Sequence, residues 1–402
     1  MMVQVSRAGD VRTPDVTFTP NPGSAPTLPP THISSNLVSI AHIFSHSPRL
    51  PPHLNCNTQQ VASSHHTLLP PGKMAPRLPR AVTSTAAYFL VNPSTAAAGR
   101  AASLRLYSAQ AEPLIRVANL PAGGTSGHIR VLELNRASAR NAISKGLLAA
   151  LRAEVDAIHA QYGPSGEEHP AATSAQGGPT RALVIASAVD SCFCAGADLK
   201  ERRGFTQEET NEFLTNLRAT FASLADLPIP TISAISSIAL GGGLELALST
   251  HFRVLSSNAT VGLPETRLGI LPGAGGTHRL PALIGLGRAR DLILTGRRVA
   301  APEAYFLGIA DRLVEVVPED ERDADNNSML PLARKAALSE AVRLAQEICE
   351  GGPVAIRAAL QAVAWARPEK ENEMYERVVA TEDRNEALKA FQEKRKPVFK
   401  GR

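Results

Sequence analysis

Acidic residues are missing from a long stretch near the start of the chain, because residues 16–111 contain no Asp or Glu. Residues 1–107 carry eight Lys or Arg against two acids, whereas residues 108–402 carry 34 basic and 35 acidic residues. The net charge of +5 therefore comes from the leader, and the remainder of the chain is close to neutral. A nucleic-acid-binding protein needs a basic folded surface, so the composition argues against that class.

Cysteine is also scarce, with only Cys56, Cys192, Cys194 and Cys349 in 402 residues. So few cysteines form no disulfide framework, which favours a reducing compartment. Cys192 and Cys194 make a C-x-C pair with no second pair and no nearby His, and the six histidines of residues 1–73 have no Cys or carboxylate cluster beside them. We therefore expect no metal site.

Long apolar runs and cofactor fingerprints are lacking too. The uncharged run 227–244 has 18 residues but contains two prolines and three consecutive glycines, so it predicts a buried strand running into a turn and no membrane span. A G-x-G-x-x-G motif followed by an acid about 20 residues later is absent, as is a G-x-S-x-G elbow. The sequence therefore lacks the signatures of a dinucleotide-binding protein and of an α/β-hydrolase.

The leader has two parts. Residues 1–73 are rich in Pro, Ser, Thr and His and show no apolar period, which predicts disorder; such a stretch is also typical of an over-extended gene model, so translation from Met1 or Met74 stays open. Residues 74–107 bear Arg, Ser, Thr and Ala without acids, as mitochondrial presequences do. We expect cleavage after Tyr107 and a mitochondrial matrix location; the alternative is an ordinary disordered tail.

The body of the chain alternates strands and helices. Residues 127–134 predict a strand, 141–162 a helix, 163–179 a surface loop, and the apolar runs 182–187 and 231–240 buried strands. A second surface insertion is expected at 318–327. This order predicts an α/β core over residues 112–330. Residues 331–402 have a helical pattern with breaks near Pro353 and Pro368, and exposed-looking apolar positions such as Trp365 and Met374 predict a helical subdomain that packs on a neighbouring subunit.

Three glycine-bearing stretches carry the chemistry: FCAGADLKER from Phe193, LGGGLELAL from Leu240 and GLPETRLGILPGAGG from Gly262. Glycine where a strand ends leaves backbone N–H groups free to point into a cleft, and two such donors suit a developing thioester oxyanion. Glu245 and Glu265 have apolar neighbours that raise a carboxyl pKa, so together they predict a hydration site. Close packing of the glycines and a helix-dipole role for Glu245 are the alternatives.

These stretches resemble the enoyl-CoA hydratase/isomerase (crotonase) superfamily, from about Ile129 to the C-terminus. The resemblance implies a crotonase-type spiral of ββα units with a C-terminal helical oligomerisation subdomain, a homotrimer or homohexamer, and no cofactor, since CoA enters as part of the substrate. It further implies an oxyanion hole at the N–H groups of Ala197 and Gly242, and catalytic roles for Glu245 and Glu265. The substrate-binding positions it implies are Ala195, Gly196, Asp198, Leu199, Lys200, Gly241 and Gly273.

Within that superfamily the chain looks most like the mitochondrial methylglutaconyl-CoA hydratases, which implies hydration of 3-methylglutaconyl-CoA in leucine breakdown. The alternatives are a short-chain enoyl-CoA hydratase or isomerase of fatty-acid β-oxidation and an AU-rich RNA-binding protein. RNA binding in that branch is associated with a lysine-rich first helix, but the predicted helix 141–162 has only Lys145 and Arg152. We therefore expect no RNA partner, and the preferred acyl chain stays open.

Overall fold

The computed structural model describes residues 112–402 except Thr125 and residues 318–325. The leader segments 1–73 and 74–107 and nearly all of the insertion at 318–327 therefore lie outside the described residues. The strands are β1 Ile115–Pro121, β2 His128–Leu134, β3 Thr180–Ser187, β4 Cys192–Cys194, β5 Thr231–Ile235, β6 Ile238–Leu240, β7 Phe252–Ser256, β8 Thr260–Gly262, β9 Arg298–Ala300 and β10 Arg312–Val314. The helices are α1 Lys145–His159, α2 Pro170–Ser174, α3 Leu199–Arg202, α4 Gln207–Ala225, α5 Gly242–Leu248, α6 Gly276–Ile284, α7 Leu286–Thr295, α8 Ala301–Leu307, α9 Asn326–Cys349, α10 Pro353–Trp365, α11 Pro368–Val379 and α12 Glu382–Glu393.

The strands form two sheets, with orders β1-β2-β3-β5-β7-β10 and β4-β6-β8-β9. Successive pairs of strands divide between the sheets, so β3, β5 and β7 enter the larger sheet while β4, β6 and β8 enter the smaller one. Within each sheet these strands run parallel. A helical segment follows each pair, which is the repeat of a spiral of ββα units. The same ends of β4, β6 and β8 therefore lie side by side.

The run 231–240, predicted as one strand, is two strands in different sheets. β5 pairs with β3 and β7, whereas β6 pairs with β4 and β8. The chain changes sheet at Ser236 and Ser237; the Ser237 hydroxyl donates to the Ser191 carbonyl, and the Ser236 carbonyl accepts from Ser256. Because of this step, residues 240–242 emerge from the smaller sheet beside the end of β4.

Helix α1 begins at Lys145, four residues later than predicted, because Ser144 is its N-cap and accepts from the Leu147 N–H. Asn141, predicted as the helix start, is instead fully buried with a positive φ of 54°. Its side-chain amide donates to the Ser187 hydroxyl and the Phe193 carbonyl. Asn141 thereby fixes the end of β3 against β4, just before the first glycine-bearing stretch. The predicted loop 163–179 contains one short helix, α2.

Helix α9 runs through the predicted division at residue 330 and packs on the larger sheet through Ala337, Ala341 and Ala345, which are fully buried. A helix break precedes Pro353, as predicted, and α10 to α12 follow. Trp365 is exposed, but Met374, expected to be exposed, is buried within the chain itself. None of the helices among the described residues is long and apolar enough to cross a membrane.

Candidate active site

A cavity of about 470 Å³ opens where β4, β6 and β8 end. It brings together nine of the eleven site residues predicted from the sequence. These nine are Ala195, Gly196, Ala197, Leu199, Gly241, Gly242, Glu245, Glu265 and Gly273. The three glycine-bearing stretches, which are up to 80 residues apart in sequence, thus converge on one space.

Two backbone N–H groups lie next to each other at this cavity. A Cβ built on Gly242 would lie 3.6 Å from the nitrogen of Ala197. Gly242 is the first residue of α5, so its N–H has no acceptor within the helix. Among the described residues no hydrogen bond uses either N–H, although the neighbouring Asp198 N–H donates to Ile143 and the Gly241 N–H donates to Gly262. Two donors without acceptors therefore lie close together at the cavity, and an oxyanion needs such donors.

The triple glycine also serves packing. A Cβ on Gly243 would lie 2.2 Å from the carbonyl oxygen of Cys194, so only glycine lets α5 approach β4 this closely. Gly241 has φ 54° and ψ −127°, a backbone conformation that strains any residue with a side chain. The close-packing interpretation of the glycines thus holds for Gly243, while Gly242 keeps a free N–H at the cavity.

Glu245 lies in the first turn of α5 and is 3% exposed. Its Oε1 accepts hydrogen bonds from the N–H groups of Ala274, at 2.8 Å, and Gly276, at 2.9 Å. Burial raises the pKa of Glu245, and the two N–H donors together with the nearby charges of Arg279 and Arg218 offset part of the rise. The carboxylate is therefore fixed by the 272–276 loop, with Oε2 left without a hydrogen bond among the described residues.

Glu265 begins the turn after β8 and is 8% exposed. Burial raises its pKa to about 7; its own backbone N–H offsets part of the rise, and the charge of Glu245 adds to it. Its Oε2 is buried without a hydrogen-bond partner among the described residues. A carboxyl group with a pKa near neutrality and a free oxygen in a cavity can both give and take a proton.

Asp198 and Lys200, the other two predicted positions, are not part of the cavity wall. Asp198 caps α3 by accepting from the N–H groups of Lys200 and Glu201, and it forms an ion pair with Arg136 at 2.7 Å. Lys200 is exposed. Asp198 therefore shapes the turn that presents Ala197 and does not face the cavity itself.

Sequence reasoning missed most of the wall that would contact an acyl chain. It is supplied by α3, by α4, by the turn that Glu265 begins and by the loop after that turn: Arg202, Leu214, Leu217, Arg218, Leu268, Ile270, Leu271 and Ala274. In α4, Phe213, Leu217, Phe221 and Leu224 recur at helical spacing, and this spacing predicts which face of the helix is buried. Leu217 lies on that buried face and also lines the cavity. Nothing in the period distinguishes residues that cover the core from residues at the rim of the cavity. Arg218 is the clearest case, because its Nε donates to the Gly273 carbonyl at 2.7 Å.

The basic residues of α1 do not form a cationic strip. Lys145 forms an ion pair with Glu209 and lies over the ring of Phe205, and Arg152 forms an ion pair with Asp156. No group of three or more His, Cys, Asp or Glu in the described part of the chain could hold a metal ion. The groups of the cavity that can take part in a reaction are the backbone N–H groups of Ala197 and Gly242 and the carboxyl groups of Glu245 and Glu265.

The chain is similar in sequence and fold to known proteins. Residues 172–402 match the enoyl-CoA hydratase/isomerase family. A Pyricularia oryzae protein named methylglutaconyl-CoA hydratase 1, mitochondrial, is 70% identical over 318 residues, covering 75% of this chain and 91% of that protein. Human methylglutaconyl-CoA hydratase, mitochondrial, is 38% identical over 314 residues, covering 76% and 83% of the two chains. The crystal structure of an enoyl-CoA hydratase from Bacillus anthracis, at 35% identity, covers 72% of this chain and 100% of its own with a TM-score of 0.59.

These matches confirm the superfamily and the crotonase-type α/β fold predicted from the glycine-bearing stretches, and they give no support to an RNA-binding protein. With the paired N–H donors and the two buried glutamates in one cavity, they show that the chain belongs to the enoyl-CoA hydratase/isomerase family.

Proposed function

We propose that this protein adds water across the 2,3 double bond of an enoyl-CoA thioester, with 3-methylglutaconyl-CoA as its preferred substrate. The observation that carries the proposal is that Glu245 and Glu265 face the cavity that also holds the free N–H groups of Ala197 and Gly242. The relatives named as methylglutaconyl-CoA hydratases support the choice of acyl chain. Hydration needs no cofactor beyond the CoA that the substrate carries.

The residues act on separate atoms. The N–H groups of Ala197 and Gly242 bind the thioester oxygen and stabilise the negative charge that develops on it, which makes C3 electrophilic. Glu245 takes a proton from water, whose oxygen forms the bond to C3 as the C2–C3 π electrons move toward the thioester. Glu265 then gives a proton to C2, and proton exchange between the two carboxyl groups restores the starting state. The raised pKa values of both groups suit this exchange.

A substrate panel tests the proposal on the full chain. Steady-state hydration of crotonyl-CoA, tiglyl-CoA and 3-methylglutaconyl-CoA should give the highest kcat/KM for 3-methylglutaconyl-CoA. A clear preference for crotonyl-CoA would instead identify a short-chain hydratase of β-oxidation. Migration of the double bond without hydration would identify an isomerase, and either result would overturn the proposed substrate.

The proposal extends to location and assembly. Two of the relatives named above carry the word mitochondrial in their names, and the acid-free, Arg-bearing segment 74–107 supports import into the matrix. The division predicted at residue 330 falls inside α9, which packs on the larger sheet, so we assign α9 to the core and α10 to α12 to the helical subdomain, and we expect a homotrimer or homohexamer. Trp365 and Phe391, which are 58% and 84% exposed in the single chain, suit a subunit interface. Analytical ultracentrifugation that found only monomer would contradict this assembly.

A further inference from the structure

Two arginines interrupt the otherwise mostly apolar wall of the active-site cavity. Arg202 lies in α3 and Arg218 lies in α4. Enoyl chains are hydrocarbons, and the thioester end is already served by backbone N–H groups. A guanidinium placed beyond those groups is therefore unexplained by hydration alone, and the two arginines differ in how their charge is used.

The guanidinium of Arg202 already has a partner within the protein. It lies over the ring of Phe213, 5.8 Å from the ring centroid. Arg202 follows Ala197 by only five residues, on the turn that presents the oxyanion-binding N–H. Arg202 therefore lies close in sequence to the oxyanion-binding N–H of Ala197, whereas Arg218 contacts the loop that holds Glu245.

Arg218 lies beside the loop that holds Glu245. Its Nε donates to the Gly273 carbonyl, one residue before the Ala274 N–H that binds Glu245. Its charge also acts on Glu245, whose ionised form it favours. Among the described residues no carboxylate pairs with Arg218, so both Nη groups remain free to bind a carboxylate in the forked geometry that guanidinium favours.

The space next to Arg218 is cationic. A second cavity, of about 440 Å³, adjoins the first across Leu271, Gly273 and Ala274, and Arg218 borders both. Its other charged or titratable neighbours are Arg279 and His278, and its described wall contains no Asp or Glu. Apart from the two arginines, the ionisable groups that line the active-site cavity are Glu245 and Glu265, and neither carboxyl group would attract an anionic end of an acyl chain.

We propose that Arg218 binds the distal carboxylate of the acyl group and thereby selects enoyl-CoA substrates that end in a carboxylate. This inference rests on the proposed function and names the residue that sets its substrate class. In a glutaconyl chain the carboxylate carbon is two C–C bonds, each about 1.5 Å, from C3. A side chain beside the loop that holds Glu245 is therefore within reach of it.

The test compares substrates that differ only by that carboxylate. Crotonyl-CoA is paired with glutaconyl-CoA, and 3-methylcrotonyl-CoA with 3-methylglutaconyl-CoA. For Arg218→Gln, the ratio of kcat/KM within each pair should shift against the carboxylate member by roughly 10- to 100-fold, the value of one charge-assisted hydrogen bond. The loss should fall mainly on KM, because binding of a remote group is common to ground and transition states. Arg218→Lys should restore part of the ratio.

Arg202→Gln is the matched control, because it removes the other cavity arginine, and it should shift the ratio much less. An equal fall for both members of each pair in Arg218→Gln would show that Arg218 only supports the Gly273 loop, and would overturn the inference. A shift caused by Arg202→Gln in its place would also overturn it. If the wild-type enzyme does not hydrate 3-methylglutaconyl-CoA, the proposed function itself fails; if it does and the Arg218→Gln ratio is unchanged, only this inference fails.

Discussion

Gly241 stands directly against Glu265: a Cβ built on Gly241 would lie 3.0 Å from Oε1 of that carboxylate. The contact joins the residue directly before α5 to the carboxyl group whose pKa burial raises to about 7. A side chain at position 241 would therefore act on the backbone and on the proton-transfer group at once.

We expect Gly241→Ala to lower hydration at least 10-fold and to destabilise the protein by about 1–3 kcal/mol, because alanine is strained at φ 54° and ψ −127° and its methyl group displaces Glu265. Steady-state kinetics and urea unfolding measure the two effects. Gly287→Ala is the control, since a Cβ there meets nothing within 4 Å. If Gly241→Ala keeps wild-type activity, the position of Glu265 does not depend on the absence of a side chain at residue 241.

The sequence allowed the site to be predicted where local chemistry decides it. Glycines at strand ends indicate where backbone N–H groups can be left without partners, whereas the resemblance to the enoyl-CoA hydratase/isomerase superfamily assigned the oxyanion-binding N–H groups to Ala197 and Gly242. The wall of the cavity could not be predicted, because Arg218 and Leu217 are adjacent residues of the amphipathic helix α4 and the role of Arg218 depends on the approach of the 272–276 loop. Contacts between distant segments are not encoded in the periodicity of either segment.

The α/β fold class could also be predicted from local sequence patterns, but the division of the strands between two sheets could not. Alternating strands and helices indicate α/β, but the step between β5 and β6 needs two adjacent residues to leave one sheet and enter another. In the sequence, Ser236 and Ser237 look like part of one continuous strand. Their hydrogen bonds to Ser256 and Ser191, which mark the change of sheet, are visible only in the structure. Met374 was misjudged similarly, since its burial depends on how the C-terminal helices pack together.

The rate of hydration should fall as the pH rises through about 7. In the proposed mechanism Glu265 gives a proton to C2, so the protonated form is needed, and burial places its pKa at about 7. A pH profile of kcat/KM with 3-methylglutaconyl-CoA should therefore show an alkaline limb there, and Glu265→Gln should lack it. A wild-type rate that stays flat from pH 6 to pH 9 would contradict this role.

Stability should change in the same pH range. The pKa of Glu265 rises from 4.5 to about 7 on folding, so the folded state binds the proton more tightly. This contribution is fully present below pH 4.5 and is lost as the pH rises through 7. Glu265→Gln, which does not titrate, should therefore be more stable than the wild type by on the order of 2 kcal/mol at pH 8 and gain much less at pH 5.

Urea unfolding at the two pH values measures this difference. Glu208→Gln is the control, because that carboxyl group is exposed and forms no side-chain hydrogen bond or ion pair among the described residues. A gain in stability of equal size at pH 5 and pH 8 would show that the effect comes from packing and not from the proton.

The acid-free leader predicts that the protein is imported into mitochondria and cleaved there. A reporter fused behind residues 74–111 should enter mitochondria, because the segment bears arginine and no acid, and the mature chain should begin near Ser108. Replacing Arg77, Arg80, Arg100 and Arg105 by Glu should abolish import of the same fusion. N-terminal sequencing of the native protein measures the cleavage site, and an intact Met1 or Val3 would show that the presequence interpretation is wrong.

Replacing either glutamate should lower the rate of hydration, and the two losses should not be additive. Glu245→Gln and Glu265→Gln should each lower kcat by about 10² to 10⁴, the usual contribution of a positioned acid or base. Each Gln keeps an oxygen that can accept a hydrogen bond, as Glu245 does from Ala274 and Gly276, so KM should change little.

The double variant should lose much less than the product of the two single losses, because both groups act on one water and one substrate carbon, and residues that act as a unit are not additive. Glu208→Gln again serves as the matched control and should keep wild-type kinetics. If Glu245→Gln retains full hydratase activity with normal stability, the carboxylate serves only to hold Ala274 and Gly276 at the start of α6. The chain would then use Glu265 alone, as an isomerase or hydrolase type of the same fold does.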